Sequence, residues 1–538
     1  MTALEELRAA VEAAAATLRP AGAAAGTAPT LERARREEFG DVSTNAAMLL
    51  APALREQPRD IAERLGEELA RRLGDALERW EVAGPGFLNL FLSDAWFAGA
   101  LAGMLAAGEG FGGGGAADSA ERVLVEFVSA NPTGPLTAAS GRHAAFGDAL
   151  ARILELHGHA VTREYYVNDH GTQVLRLGES IRARALGDPV PEGGYEGDYV
   201  RALSEGVDLA LSDEQLASEG VARNLEQVRL TMAAFGVHFD EWFRESSLYA
   251  GGQELIAETL RRLEPHLYES EGALWLRTTS FGDDKDRVLR RATGEPTYFL
   301  PDAAHHLWKL QEGYDRLLDI FGSDHAGYVV RMRAAVEALG ASPEVLEILI
   351  MQFVHIVEGG ARASMSKRRG EFVTLDELMG EVGVDAARWF LLQRSHDTTI
   401  DLDLDLARSQ SNENPVYYVQ YAHARIASVR AKARREGAAA PSPAAPGEPL
   451  HPAERRLIKK LLAWPGEVAE AAERRAPHRV CVYALELAQT FTAFYRDCQV
   501  VGAESPEAEA FRLALCVAAQ GTIASALGRL GVSAPESM

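Results

Sequence analysis

The chain has 538 residues, a formal net charge of −23, 47% hydrophobic residues and three cysteines. That length suggests about three domains of about 100–200 residues each, and the acidic balance argues against non-specific coating of nucleic acid without excluding a local basic surface. No apolar run reaches the about 18 residues of a membrane span. The N-terminus, MTALEELRAAVEAAAATLRP, is acidic and amphipathic, unlike a signal or transit peptide. Cys481, Cys498 and Cys516 form no CxxC pair, which fits a reducing cytosol and offers no zinc framework.

Residues 1–110 read as a first unit. Two helical stretches frame REEFGDVSTNAAMLLAPALREQPRDIAERL, where Asp41 or Ser43 is expected to cap a helix starting near Thr44. GPGFLNLFL, from Gly84, reads as a turn followed by a strand. GEGFGGGG, Gly108 to Gly115, matches G-x-G-x-x-G but follows a helix rather than a strand, so it carries no dinucleotide signal. It reads as a flexible linker and a domain boundary.

Val123 to Gly147 is the most informative stretch. VLVEFVS has the pattern of a buried strand carrying one acid, Glu126. ANPTGP forces a turn, and an Ala-rich helical segment follows. A strand running through a tight turn into a helix is where open α/β sheets place ligands, and a helix N-terminus offers N–H groups to phosphate. An acid inside a strand needs a cation, either a substrate's or a fixed internal partner such as an arginine. From about 120 to 405 β-like and helical patterns alternate, which predicts a parallel α/β sheet, with a more polar helical insertion at about 185–280. DLDLDLA, from Asp401, lacks the Gly and terminal Glu of a calcium loop and reads as a short exposed strand. From about Asn412 the chain is helical. Ala422 to Lys460 holds nine Lys/Arg against three Glu, a basic stretch of the kind a nucleic-acid face needs. Tyr417, Tyr418 and Tyr421 are either core residues, the better expectation for any one of them, or stacking platforms for bases.

EFVSANPTGPL, REYYVNDHGTQVLRLGESI, PTYFLPDAAHHLWKL, GSDHAGY, ARASMSKRRGEFVTLDEL and SNENPVYYVQYAHARI together resemble the class I arginyl-tRNA synthetase family. The resemblance implies a Rossmann-like catalytic domain at 120–407, an N-terminal α/β additional domain that meets tRNA at 1–110, and an all-helical anticodon-binding domain at 411–538. The chain departs from the family at the HIGH signature, where Thr137, Ala138, Ala139 and Ser140 replace both histidines. His143, three residues on, either approaches the site or faces solvent, the latter being expected. The second signature appears as Ser364-Met365-Ser366-Lys367-Arg368.

By the same resemblance, Glu126, Tyr298 and Asp302 hold the arginine side chain, Ser129 and Asn131 its main-chain groups, and His325 lies alongside. Pro135, Gly141, Gly322, Asp324, Met365 and Lys367 bind ATP, with Lys367, Ser366, Thr137 and Ser140 as the catalytic set. Asn45, Tyr417, Tyr421, Arg425, Arg430 and Arg434 meet tRNA, and LGVSAPESM resembles the family's C-terminus, near the anticodon loop. The implied activity is ATP-dependent attachment of L-arginine to tRNA(Arg) through an adenylate, assisted by Mg²⁺, in a cytoplasmic protein that is monomeric by analogy and has no membrane partner. No resident protein-ligated metal is expected. The competing reading is a catalytically weak relative that binds tRNA or arginine.

Overall fold

The structure is a computed structural model that describes residues 2–20, 27–33, 36–362 and 373–538. Its N-terminal unit packs helices Ala3–Leu18, Ala46–Leu54, Pro58–Leu73 and Asp94–Ala107 around a four-stranded antiparallel sheet whose inner strands are Val42–Thr44 and Phe87–Leu92. Neither Asp41 nor Ser43 caps the helix there. It begins at Ala46, and the Asp41 carboxylate instead accepts the Leu92 amide at 2.6 Å and pairs with Lys459.

The five-stranded sheet is built from β1 (Arg122–Glu126), β2 (Ala160–Val167), β3 (Glu241–Arg244), β4 (Arg316–Gly322) and β5 (Leu346–Met351), in the order β5-β4-β1-β2-β3. All four pairings are parallel. β1 is buried from Val123 to Glu126, as a central parallel strand covered on both faces must be. The order reverses between β1 and β4, which makes the crevice at their carboxyl ends the switch point where such sheets bind ligands. β3 falls inside the stretch read as insertion, so 185–280 is not wholly outside the sheet. Four residues are too few to display a strand pattern. The helix α1 (Ala138–His157) follows β1, and α2 (Phe299–Gln311) precedes β4.

The Gly108–Gly115 run is not a flexible linker. A Cβ on Gly112 would lie 2.4 Å from the Trp464 ring, and the Gly114 amide donates to the Leu156 carbonyl at 2.9 Å. These glycines let the N-terminal unit, α1 and the C-terminal helices approach closely.

The C-terminal unit packs helices Pro415–Glu436, Pro452–Leu461, Trp464–Glu473, His478–Asp497 and Pro506–Leu530. Contrary to the expectation of no membrane-length apolar run, Pro506–Leu530 is long and apolar enough to cross a membrane, yet 78% of its most apolar window is buried inside the protein. It reads as the core helix of this bundle. Its carbonyl end also enters the catalytic core. Arg388, fully buried, donates to the Leu530 carbonyl at 2.8 Å, to the Phe235 carbonyl at 3.0 Å and to Asp148 on α1.

Candidate functional site

Past β1 the chain turns through Val128 and Ser129, at φ of +69° and +39°. A β-branched residue there is strained, at a cost of order 1–3 kcal/mol, and such strain clusters at ligand sites. The turn aims the Ser129 hydroxyl back at Glu126, to whose Oε1 it donates at 2.8 Å, while it accepts the Tyr166 amide at 3.1 Å. Glu126 Oε2 accepts from Lys309 Nζ at 2.6 Å. The internal cation for Glu126 is therefore a lysine, not an arginine. Asn131 is exposed and donates to Gln173 at 2.6 Å.

The helix α2 presents Asp302 in its first turn and His305, His306 and Lys309 further along. Burial pushes the Asp302 carboxyl up to about 6, against a hydrogen bond from the Tyr328 hydroxyl. Glu126 and His325 act on it through charge, so the structure brings Glu126, Ser129, Asp302 and His325 into one region. Tyr298 stands at its rim, 61% exposed. A cavity of about 760 Å³ opens beyond Tyr298 and Pro301, walled also by Glu245, Tyr249 and His170. Neither Glu126 nor Asp302 lines it. Burial raises the Glu245 carboxyl to about 7.

A protonated Asp302 offers less to a guanidinium than an ionised one. If Asp302 meets an arginine side chain, as the resemblance implies, arginine KM should rise about tenfold for each pH unit below about 6 and level off above 7. Initial rates measured from pH 5 to 8 check this, and Asp302→Asn should remove the dependence.

At the head of α1 the altered signature caps the helix. Thr137 is the N-cap, its Oγ1 accepting the Ser140 amide at 3.3 Å and lying 3.3 Å from the Ser140 hydroxyl. The Ala138 amide is taken by the Val373 carbonyl at 3.0 Å. Much of what a free helix N-terminus would offer a phosphate is thus spent inside the protein. Pro135 lies in the turn, and Gly141 is buried against Leu375, where a Cβ would approach to 2.7 Å, so it serves helix packing. Gly322 ends β4, and Asp324 and His325 follow on an exposed turn. His143 does not face solvent. It lies against the Ile320 carbonyl near Asp324 and His325, and burial lowers its pKa to about 4. Met365, Ser366 and Lys367 lie outside the described residues.

Sequence reasoning missed Glu164, Asp319, Lys309, Tyr328 and Glu245. The one available signal was HHLWK, where polar groups recur at helical spacing inside an otherwise apolar segment.

The tRNA-facing residues divide. Tyr417 and Tyr421 stack at 6.3 Å, with the Arg425 guanidinium 5.4 Å from the Tyr421 ring, forming an outer ladder along Pro415–Glu436. Tyr421 is exposed, so the core reading fails for it, whereas Tyr418 turns inward to Thr492. Arg430 is bonded to Gln520 and Arg434 is exposed. Further along, Arg455 pairs with Asp94 at 2.7 Å and Lys459 with Asp41, so part of the basic stretch holds the N-terminal unit. Asn45 accepts the Thr30 amide at 2.9 Å. The tail lies along the same helix, with Gln420 donating to the Ser533 carbonyl at 3.0 Å and His423 bonded to the Pro535 carbonyl at 2.8 Å.

Known proteins match this chain from end to end. Residues 4–92 match the arginyl tRNA synthetase N terminal domain, 104–182 the class I (R) tRNA synthetase catalytic domain, and 419–538 the DALR anticodon binding domain. Arginine–tRNA ligases of Shouchella clausii and Bacillus subtilis are each 43% identical, over 528 and 527 residues, covering 94% of this chain and 94% of theirs. Among solved structures, Thermus thermophilus arginyl-tRNA synthetase superposes with a TM-score of 0.77 at 25% identity, covering 99% of this chain and all of its own. A putative arginyl-tRNA synthetase from Campylobacter jejuni gives 0.75 at 32% identity, over 83% of this chain and all of its own. With this length matched at this identity, and with the sheet order and the acid-lined switch point described above, the chain belongs to the arginyl-tRNA synthetase family.

Proposed function

We propose that this chain activates L-arginine with ATP and transfers it to tRNA(Arg), with Glu126, Asp302 and Tyr298 receiving the guanidinium group. As an arginine–tRNA ligase of class I it takes ATP as substrate. The observation that carries the arginine reading is the meeting of Glu126 and Asp302 beside the switch point. A planar group with five donors and a permanent charge calls for carboxylates at that place.

In the first step the arginine carboxylate attacks the α-phosphate of ATP and pyrophosphate leaves. In the second, a terminal ribose hydroxyl of the tRNA attacks the activated carbonyl and AMP leaves. Neither step asks the protein for covalent chemistry, so positioning and electrostatics carry the rate. Ser129 and Asn131 are read as orienting the main-chain groups, Gly322 and Asp324 as bordering the adenosine, and Lys367 as meeting the β- and γ-phosphates. Magnesium has no assigned step. The one metal-spaced group among the described residues, Glu126, Glu164 and His305, already carries the Lys309 ammonium and does not fit a resident ion. Cytoplasmic location and a monomeric state belong to the same reading, as do 1–110, 120–407 and 411–538 as functional units. The weak-relative alternative draws no support from the curated matches, which are arginine–tRNA ligases.

ATP–pyrophosphate exchange across amino acids, with and without tRNA, tests the whole reading. Exchange that requires arginine supports it, and no adenylate with any arginine tRNA would overturn it. For the tRNA surface, replacing Arg425 and Arg434 by glutamine should weaken tRNA binding and lower the salt slope by about one to two units, leaving arginine affinity unchanged. Filter binding over a range of salt reads this out, and equal slopes would move the tRNA to another face.

A further inference from the structure

Asp319, Glu126 and Glu164 are partners in register on the adjacent strands β4, β1 and β2, and Glu241 continues the row on β3. Like charges side by side across strands repel, and the first three of these acids are buried. The row is met by α2. Lys309 Nζ lies 2.6 Å from Glu126 Oε2, 2.9 Å from Asp319 Oδ1 and 3.3 Å from Glu164 Oε2, and the side chain is fully buried. His306 Nε2 lies 2.9 Å from Asp319 Oδ2, and His305 Nε2 lies 2.8 Å from Glu164 Oε1.

Two of the ammonium's three donors go to Glu126 and Asp319 as hydrogen bonds, and Glu164 Oε2 faces it as an ion pair. Lys309 is thus enclosed by carboxylates. A carboxylate has about four acceptor sites, of which Lys309 and Ser129 occupy one each on Glu126. Acceptor capacity thus remains on a carboxylate that cannot turn away.

We propose that Lys309 is a positioning residue for arginine, holding the Glu126 side chain oriented so that its remaining lone pairs meet the substrate guanidinium. The proposal rests on the reading that Glu126 contacts the arginine side chain. Asp319 and His306 anchor the lysine from the far side of the row. The charge balance agrees with a cationic ligand. Burial works against a charged His306, but Asp319 outweighs it and raises its pKa, while burial and Lys309 together keep His305 neutral. With Asp302 on the same helix, the carboxylates then outnumber Lys309 and His306, and a guanidinium would offset part of the excess.

Lys309→Met removes the counter-cation. The groups then facing one another are Glu126, Glu164, Asp319 and, farther along, Glu241 from the strands, with Asp302, His305 and His306 from α2. Burial and mutual repulsion would make these acids bind a proton, which alkaline pH removes. Arginine KM in the presence of tRNA should rise tenfold or more at pH 7, by order of magnitude, with a smaller change in kcat, and should recover as the pH is raised to 9. The wild-type KM, measured in parallel, corrects for titration of arginine itself. Unchanged KM, or an increase that pH does not relieve, would overturn the proposal. Asp319→Asn, which keeps the lysine but removes one of its anchors and one repelling charge, should raise KM less and without relief at alkaline pH. It decides the matter if the methionine variant does not fold, and an unchanged KM overturns the proposal there too. Glu126→Gln separates the two levels. If it leaves KM unchanged, Glu126 is not in the pocket and the underlying reading falls. If it raises KM while Lys309→Met and Asp319→Asn do not, only the role of the lysine falls.

Discussion

Lys367→Ala should lower single-turnover adenylate formation by ~10² or more while leaving arginine binding intact. The reason lies at the head of α1. In the family the signature histidines donate to phosphate oxygens, and here Thr137 and Ser140 occupy their positions. The Thr137 oxygen is spent capping the helix, the Ser140 hydroxyl lies beside it, and the Ala138 amide is bonded to Val373. His143 turns toward the switch point, but burial keeps it neutral. Charge-assisted hydrogen bonds are roughly twice as strong as neutral ones, so under the proposed function the phosphate load would fall on Lys367. Ser140→Ala should cost far less, because one neutral donor is worth only ~1 kcal/mol net. Rapid quench with tRNA present compares the two variants. Equal losses would mean that the helix start carries phosphate after all.

Asp302→Ala should raise arginine KM by ~10–100-fold, the range expected when a group that bonds a charged partner is lost at ~1.5–3 kcal/mol. The carboxyl accepts from the Tyr328 hydroxyl, which holds it in place, and lies near Glu126. Because the guanidinium is bound alike before and during reaction, the loss should appear mainly in KM, with kcat less affected. Asp302→Asn keeps the shape and isolates the charge. An arginine KM unchanged in both variants would remove Asp302 from the pocket.

What the sequence disclosed follows the range of the interactions involved. β1, the turn and the capped start of α1 are contiguous, and their apolar run, Pro and Gly announce them directly. The family motifs likewise located Asp302 and the GSDHAGY turn. The partner of Glu126 was illegible, because Lys309 stands 183 residues away and meets it only through the order of the sheet. The Gly-rich run misled for a related reason. Glycines that permit a close approach and glycines that confer freedom have the same composition, and only the Trp464 ring above Gly112 tells them apart. The far end of the basic stretch misled because a lysine's partner, such as Asp41 for Lys459, lies in another domain.

The bond from Arg388 to the Leu530 carbonyl has a consequence for how the molecule comes into being. The chain emerges from the ribosome N-terminus first, and its domains tend to fold as they appear. The helix that carries the altered signature is made early, and its Asp148 can find Arg388 once the sheet is complete. That guanidinium, without any exposure in the finished protein, still lacks its acceptor at Leu530, 142 residues further along the chain. A buried donor left unpaired costs about 1–3 kcal/mol, and more when charged. The catalytic half therefore reaches its finished interior only once Leu530 has been made, and a nascent chain stalled short of Leu530 would hold its sheet on an unfinished foundation.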